Sequence, residues 1–202
     1  VRLYHAPASP FVRKVMVLLH EAGAVDRVTL SPASGSPLDP GTLPVDRNPL
    51  GKIPALERPD GPTLYDSRVI TRYLDDLLDA RLYPAAPHLW DTLTIEATGD
   101  GIAEAAVLMR YEAHVRPEAT RSPAWIEAQW SKIARSLAAL EDRWLSHLAG
   151  PLDMGQIAVG CALGYLDFRH ADRDWRATHP ALAAWHAAFA DRPAMRATAP
   201  DA

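Results

Sequence analysis

A serine placed directly before a helix-starting proline, Ser9-Pro10, is the first group along the chain with chemistry to offer. The first N–H groups of a helix lack partners within it, and its macrodipole is positive there, so the position attracts negative charge. A thiolate held at such a place is stabilised relative to its thiol, whose free pKa is about 8.5, and a serine hydroxyl can donate a hydrogen bond to the sulfur. The same serine suits plain helix capping equally well. Asp66-Ser67 repeats the arrangement at a second helix start. Ser67 can cap the helix or hold a ligand carboxylate at its N-terminus, and Asp66 can accept from an ammonium group. Recognised side by side, those two charges describe an amino acid or a peptide-like ligand. Between the two serines, Gly51-Lys52-Ile53-Pro54 leads into a strand. Proline has no N–H for a central ladder, so Pro54 belongs at the strand start, through a cis peptide or an ordinary turn. The Ile53 backbone would then be open to pair with an extended ligand.

The remaining chemistry-bearing residues are scattered. The eight histidines form no metal-binding motif, and Cys161 is the one cysteine, which excludes an internal disulfide and a thiolate cluster built by one chain. No metal is expected. Cys161 lies among Ala158, Val159, Ala162 and Leu163 and reads as helix packing, as do Trp125, Trp130 and Trp144. A formal charge of -4, from 21 basic and 25 acidic side chains, gives no long-range attraction to nucleic acid or anionic lipid. No apolar run reaches the roughly 20 residues that span a bilayer, and the first residues do not read as a signal peptide. Cytoplasmic, without membrane or nucleic-acid partners, is the expectation.

The elements that position these groups fall into two halves. With 48% apolar residues the 202-residue chain can bury a substantial core. Twelve of the 18 prolines precede residue 90, and glycine is absent between Gly101 and Gly150. Short, turn-rich elements therefore fill the first part and long helices the second. The first reads as a strand at Val1–His5, a helix at Phe11–Ala22, a strand at Val28–Ser31 and a proline- and glycine-dense stretch from Ser34 to Val45 with room for a further helix. Strands at Ile53–Glu57 and Thr63–Tyr65, joined by a Pro59-Asp60-Gly61 turn, and a helix at Ser67–Leu78 complete it. The second predicts amphipathic helices over Leu89–Val115, Pro123–Leu148, Met154–Phe168 and Pro180–Phe189, packed as a bundle. Asp153 and Gln156 form a capping box for the third of these. Gly99 and Gly101 mark either a bend or a close helix contact. The domain boundary is expected near residues 79–88, giving domains 1–80 and 87–202.

Taken together, Ser9-Pro10-Phe11-Val12-Arg13-Lys14-Val15, Asn48-Pro49-Leu50-Gly51-Lys52-Ile53-Pro54, Asp66-Ser67 and the run at residues 151–169 resemble a glutathione S-transferase, in particular its small, serine-type bacterial members. The resemblance implies an α/β thioredoxin-like N-terminal domain that binds glutathione and an all-α C-terminal helical domain that contributes the electrophile pocket, as a homodimer. It assigns Ser9 to the glutathione sulfur and the Ile53 main chain, before a cis Pro54, to the cysteinyl part. Asp66 and Ser67 fall to the γ-glutamyl ammonium and carboxylate. Arg68 and Asp100 join a charge network there, Asp100 serving either this site or the partner subunit's, and Lys52 is matched to the glycyl carboxylate. Phe11, Leu108, Tyr111 and Tyr165 are candidates for the electrophile pocket, expected between the domains, or for core packing.

Position 9 departs from the cysteine of thiol-transferase relatives and so lacks their mixed-disulfide chemistry. Tyr4 occupies roughly the place of the sulfur partner in tyrosine-type relatives and is a rival to Ser9. The implied activity is thiolate attack on a small, largely apolar electrophile. A non-catalytic glutathione-binding or interaction module, and a glutathione-dependent peroxidase or disulfide reductase, remain alternatives.

Overall fold

Alternation in Arg2-Leu3-Tyr4-His5 buries Leu3 completely and leaves Arg2 exposed, the signature of a strand covered on one face. In the computed structural model, which describes residues 1–200, this strand β1 (Arg2–His5) is followed by helix α1 (Pro10–Glu21), strand β2 (Thr29–Pro32), strands β3 (Ala55–Arg58) and β4 (Gly61–Leu64), and helix α2 (Ser67–Leu78). The sheet order is β2-β1-β3-β4, with β1 parallel to β2 and both remaining pairs antiparallel. This is the thioredoxin-like unit that the resemblance implied. Val12, Val15, Leu18 and Leu19 of α1 and Ile70 and Leu74 of α2 form its core with Leu3 and Leu56.

One stretch that the sequence left open is settled, and one local expectation is corrected. No helix forms between β2 and β3. Three prolines (Pro37, Pro40 and Pro44) interrupt the stretch from Ser34 to Val45, and Ser34 and Thr42 pin it instead, Thr42 N donating to Ser34 O at 2.9 Å and Ser34 N to Thr42 Oγ1 at 2.9 Å. Gly61 is not a turn residue but the first residue of β4, paired with Arg58, so the turn is Pro59-Asp60 alone. A Cβ on Gly61 would meet the Arg58 guanidinium at 2.6 Å, the far end of a flexible side chain that can move aside.

The second unit is helical: α3 (His88–His114), α4 (Pro123–Ala139), α5 (Leu145–Leu148), α6 (Met154–Arg169), α7 (Trp175–Thr178), α8 (Pro180–Ala190) and α9 (Pro193–Ala197). The single helix expected over Pro123–Leu148 is interrupted by a π-turn at Leu140–Trp144 between α4 and α5. A π-turn inserts one residue and re-phases the apolar face, here between buried Leu137 and Leu140 on one side and buried Leu148 on the other. The residues from Pro84 to Arg196 form this unit, whereas the tail from Ala197 clusters with the first, where Arg13 Nε donates to Thr198 Oγ1 at 3.4 Å. Cys161 is buried on α6, as expected. Among the described residues no helix is long and apolar enough to cross a membrane, and no group of histidine, cysteine and carboxylate side chains is placed to hold a metal ion.

The α6 start shows the predicted capping box. Gln156 N donates to Asp153 Oδ1 at 3.0 Å and Asp153 N donates to Gln156 Oε1 at 3.1 Å. The second carboxylate oxygen accepts from Thr92 Oγ1 at 2.7 Å and lies 2.6 Å from His147 Nε2, tying α3 and α5 to the same cap. Gly99 lies where α3 crosses α6. A Cβ there would stand 2.7 Å from Ala158 C and 2.8 Å from Val159 N, both backbone atoms, whereas nothing lies within 4 Å of one on Gly101. Close packing, rather than a bend, accounts for the first.

Overpacking of this kind costs about 1–3 kcal/mol, opposed by about 1 kcal/mol of helix propensity gained with alanine. Gly99→Ala is therefore expected to lower stability in chemical denaturation, and Gly101→Ala to raise it by up to about 1 kcal/mol. Equal shifts in the two variants would contradict the assignment.

Candidate functional site

Sheet register brings the three N-terminal motifs to one edge of the first unit. β1 runs toward His5, and α1 begins five residues beyond it. Because β3 runs antiparallel to β1 with Ala55 opposite Tyr4, Ile53 and Pro54 lie at the edge where β1 ends and Ser9 follows. β4 reverses again, with Leu64 opposite Leu56, so Asp66 and Ser67 emerge at that same edge.

Ser9 is the N-cap of α1. Its Oγ accepts from Val12 N at 3.3 Å, its carbonyl accepts from Arg13 N at 2.9 Å, and Pro10 occupies the first helical position. A hydroxyl carries one proton and two acceptor lone pairs. Capping uses a lone pair only, and among the described residues nothing accepts the Ser9 O–H. The two readings that the sequence left as alternatives are thus compatible in one side chain.

Tyr4 is turned to another task. Its hydroxyl donates to Glu57 Oε1 at 2.9 Å across the β1–β3 pair, and Glu57 also receives Arg47 Nε at 3.0 Å. Burial, followed by the bond to the Glu57 carboxylate and its charge, raises the phenol pKa against the opposing pull of Arg47 and Arg2. A phenol whose proton is committed to a carboxylate is a poor donor to a second anion.

The peptide between Ile53 and Pro54 is cis, one of the two states the sequence allowed. Among the described residues, neither the Ile53 N–H nor its carbonyl has a hydrogen-bond partner. The loop before it is held by Asn48, buried to 1% exposure, whose Nδ2 donates to Lys52 O at 2.8 Å and whose Oδ1 accepts from Leu50 N at 3.0 Å. Lys52 itself is exposed.

At α2 the N-cap is Asp66, not Ser67. Its Oδ1 accepts from Arg68 N at 3.0 Å and its Oδ2 from Arg68 Nη2 at 2.9 Å. Partial burial pushes the Asp66 carboxyl up, but the Arg68 hydrogen bonds, the Arg68 charge and the charge of Lys14 together hold it below its ordinary value. Asp66 is therefore an anion throughout the neutral range, half of its side chain open to solvent. Ser67 is buried, and its carbonyl accepts from Thr71 Oγ1 at 2.9 Å. That threonine also lies 2.8 Å from the Tyr83 hydroxyl.

Lys14 is the residue of this edge that sequence reasoning passed over. It is 1% exposed on α1. It sits three residues after Phe11 and one before Val15, within the apolar stripe of the helix, and a lysine in that register was the available signal.

Of the other candidates, Phe11 belongs to the first unit and the rest to the second. Phe11 is half-buried in the first turn of α1. In the second unit Asp100 is buried on α3, Leu108 is 42% exposed, Tyr111 is half-buried and Tyr165 is buried on α6. Burial raises the pKa of both tyrosines, and at Tyr165 the charge of Tyr111 adds to the rise.

Against known proteins, the chain matches the glutathione S-transferase N-terminal domain over residues 8–77 and the C-terminal domain over residues 123–188. It is 32% identical over 186 residues to the uncharacterized GST-like protein YibF of Escherichia coli K12, covering 90% of each chain. A glutathione transferase family member from Pseudomonas fluorescens Pf-5, crystallised with bound glutathione, is 47% identical with a TM-score of 0.96, over 100% of this chain and 99% of that one. A structure from the same organism with bound S-(propanoic acid)-glutathione is 46% identical with a TM-score of 0.92, over 100% of both chains.

Asn48→Ala leaves the Lys52 carbonyl and the Leu50 N–H without their buried partner, at a cost of about 1–3 kcal/mol. Chemical denaturation should show a loss in that range, and hydrogen exchange should show faster exchange at Leu50. An unchanged midpoint would mean that Asn48 does not hold this loop.

Proposed function

The chain belongs to the glutathione S-transferase family, and from that premise we propose that it is a glutathione transferase of the serine type, activating the thiolate of bound glutathione for attack on a small electrophile. Glutathione lies extended along the sheet edge. Its cysteinyl backbone pairs with the N–H and carbonyl of Ile53, its γ-glutamyl ammonium meets Asp66, its γ-glutamyl carboxylate meets the α2 N-terminus at Ser67, and Lys52 reaches its glycyl carboxylate. These contacts bring the sulfur to the start of α1. There the Ser9 hydroxyl donates to it, and the helix N-terminus favours its negative charge. Loss of the thiol proton to solvent leaves a thiolate ready to form a carbon–sulfur bond, with no metal and no covalent enzyme intermediate.

The observation that carries this reading is the Ser9 hydroxyl, which caps α1 through a lone pair and keeps its proton for an incoming acceptor. Further support comes from the neighbours. One holds glutathione, and another holds a glutathione whose name carries an S-propanoic acid group, the kind of thioether that thiolate attack on carbon leaves. Commitment of the Tyr4 hydroxyl to Glu57 supports Ser9 over its rival. A homodimer in a reducing, cytoplasmic setting is part of the proposal. A reducing setting keeps glutathione as the thiol, and sedimentation equilibrium giving the mass of one chain would remove the dimer.

Steady-state kinetics with glutathione and 1-chloro-2,4-dinitrobenzene test the assignment. A hydrogen bond to a charged acceptor is worth about 1.5–3 kcal/mol, so Ser9→Ala should lower kcat/KM by about ten- to a hundredfold. Asp66→Asn, which weakens ground-state binding, should act chiefly through KM for glutathione. No turnover above the uncatalysed rate in the parent protein would favour a binding module, and full activity in Ser9→Ala would remove Ser9 from the mechanism.

A further inference from the structure

His5 is the last residue of β1, at the edge of the first unit where α1 begins. Side chains of a strand face the two sides of its sheet in turn. Arg2 and Tyr4 share one side with Glu57, whose Oε2 lies 3.9 Å from Arg2 Nη1 and whose Oε1 accepts from the Tyr4 hydroxyl at 2.9 Å. Leu3 takes the other side, fully buried in the core that α1 and α2 cover. His5 follows it on that side, half-buried where the strand runs out. The chain then turns back. Ser9 N donates to Ala6 O at 3.1 Å, closing a turn through Pro7 and Ala8, and such turns hold their first and last Cα atoms within about 7 Å. Ser9 therefore returns beside the neighbour of His5, and α1 runs from there over the side of the sheet to which His5 belongs.

Among the described residues, neither ring nitrogen of His5 has a hydrogen-bond partner. The elements around it bring Arg13 and Lys14 on α1, Asp66 and Arg68 at the start of α2, and Arg2, Arg47 and Glu57 on the opposite side of the sheet; β2 brings no charge. None of these shifts the imidazole. Burial alone holds it below its ordinary value, so near pH 7 it is neutral, with one nitrogen open to a proton. That is the one kind of group the thiolate chemistry still needs. The Ser9 hydroxyl can donate to sulfur but does not take a proton at neutral pH, and Asp66, held low by Arg68, is too weak a base for a thiol.

We propose that His5 takes the thiol proton of bound glutathione, so that the sulfur is held as a thiolate by an imidazolium and the Ser9 hydroxyl together. This rests on the glutathione transferase reading and deepens it by giving the proton a path to solvent. The S–H bond breaks, the sulfur keeps the electron pair, and the proton forms an N–H bond on the imidazole. Ser9 contributes its hydrogen bond and loses no proton. When the sulfur has bonded to carbon and the leaving group has departed with its electron pair, the imidazolium releases the proton to water. No oxidant, reductant or further co-reactant takes part.

The pH profile of kcat/KM with 1-chloro-2,4-dinitrobenzene tests this in the full chain. Thiol and imidazole titrate as a pair, and the parent protein should lose activity only on the acid side, well below the free-thiol value of about 8.5. His5→Gln keeps a polar side chain that cannot take the proton, and its acid limb should move up toward that value. Its activity at pH 7 should fall about tenfold, because a free thiol is only about 3% ionised there, and the gap should close above about pH 9. A second measurement needs no variant. At pH 7 the ring resonance of His5 should move to the imidazolium position when glutathione is added and stay in place with S-methylglutathione, which has no thiol proton. An acid limb unmoved in His5→Gln, at full rate or at a rate lowered equally at every pH, overturns the role of His5 and leaves the transferase assignment standing. The same ring shift with both ligands, or with neither, does so too. No turnover by the parent protein overturns both.

Discussion

One hydrogen bond and one unspent proton organise the first unit. Ser9 Oγ takes the Val12 N–H and so ends α1 cleanly, with Pro10 already lacking the N–H that the first helical position cannot use. The same oxygen still carries a proton pointing to no partner among the described residues. Local folding and the candidate chemistry therefore make the same demand on this position. A cap with no hydroxyl proton, such as aspartate, would satisfy the helix and repel an anion.

Everything else at that edge follows from strand direction. A parallel β1–β2 pair with α1 between them, followed by two antiparallel reversals, delivers Ile53 and Asp66 to the end of the sheet where α1 starts. Short strands suffice because the apolar faces of α1 and α2 cover the sheet. Asn48 and Thr71 then hold the loop before Pro54 and the first turn of α2 through buried hydrogen bonds. In the second unit a comparable economy appears at Asp153, where one carboxylate caps α6 and also engages Thr92 and His147.

Much of this was legible in the sequence because it is local. Ser9-Pro10, the Ser67–Leu78 helix and the Asp153–Gln156 capping box depend on residues three or four apart, and the structure reproduces them. What escaped depends on contacts across the chain. Glycine at 61 reads as a turn until its pairing with Arg58 across β3 and β4 is seen. Gly99 and Gly101 look alike in sequence, and only the α6 backbone tells them apart. Tyr4 remains a plausible sulfur partner until Glu57 is placed diagonally across from it on the same face of the sheet. Lys14 was within reach, since a lysine in an apolar stripe signals a buried charge.

The thiol ionisation of glutathione bound to this protein is the quantity on which the account turns. It is read from the ultraviolet absorbance of the thiolate as pH is varied, with the parent protein and Ser9→Ala compared at saturating glutathione. The account predicts a thiol pKa well below the value of about 8.5 for a free thiol in the parent, and a return toward that value in the variant. Bound glutathione titrating like the free tripeptide in the parent protein would contradict it.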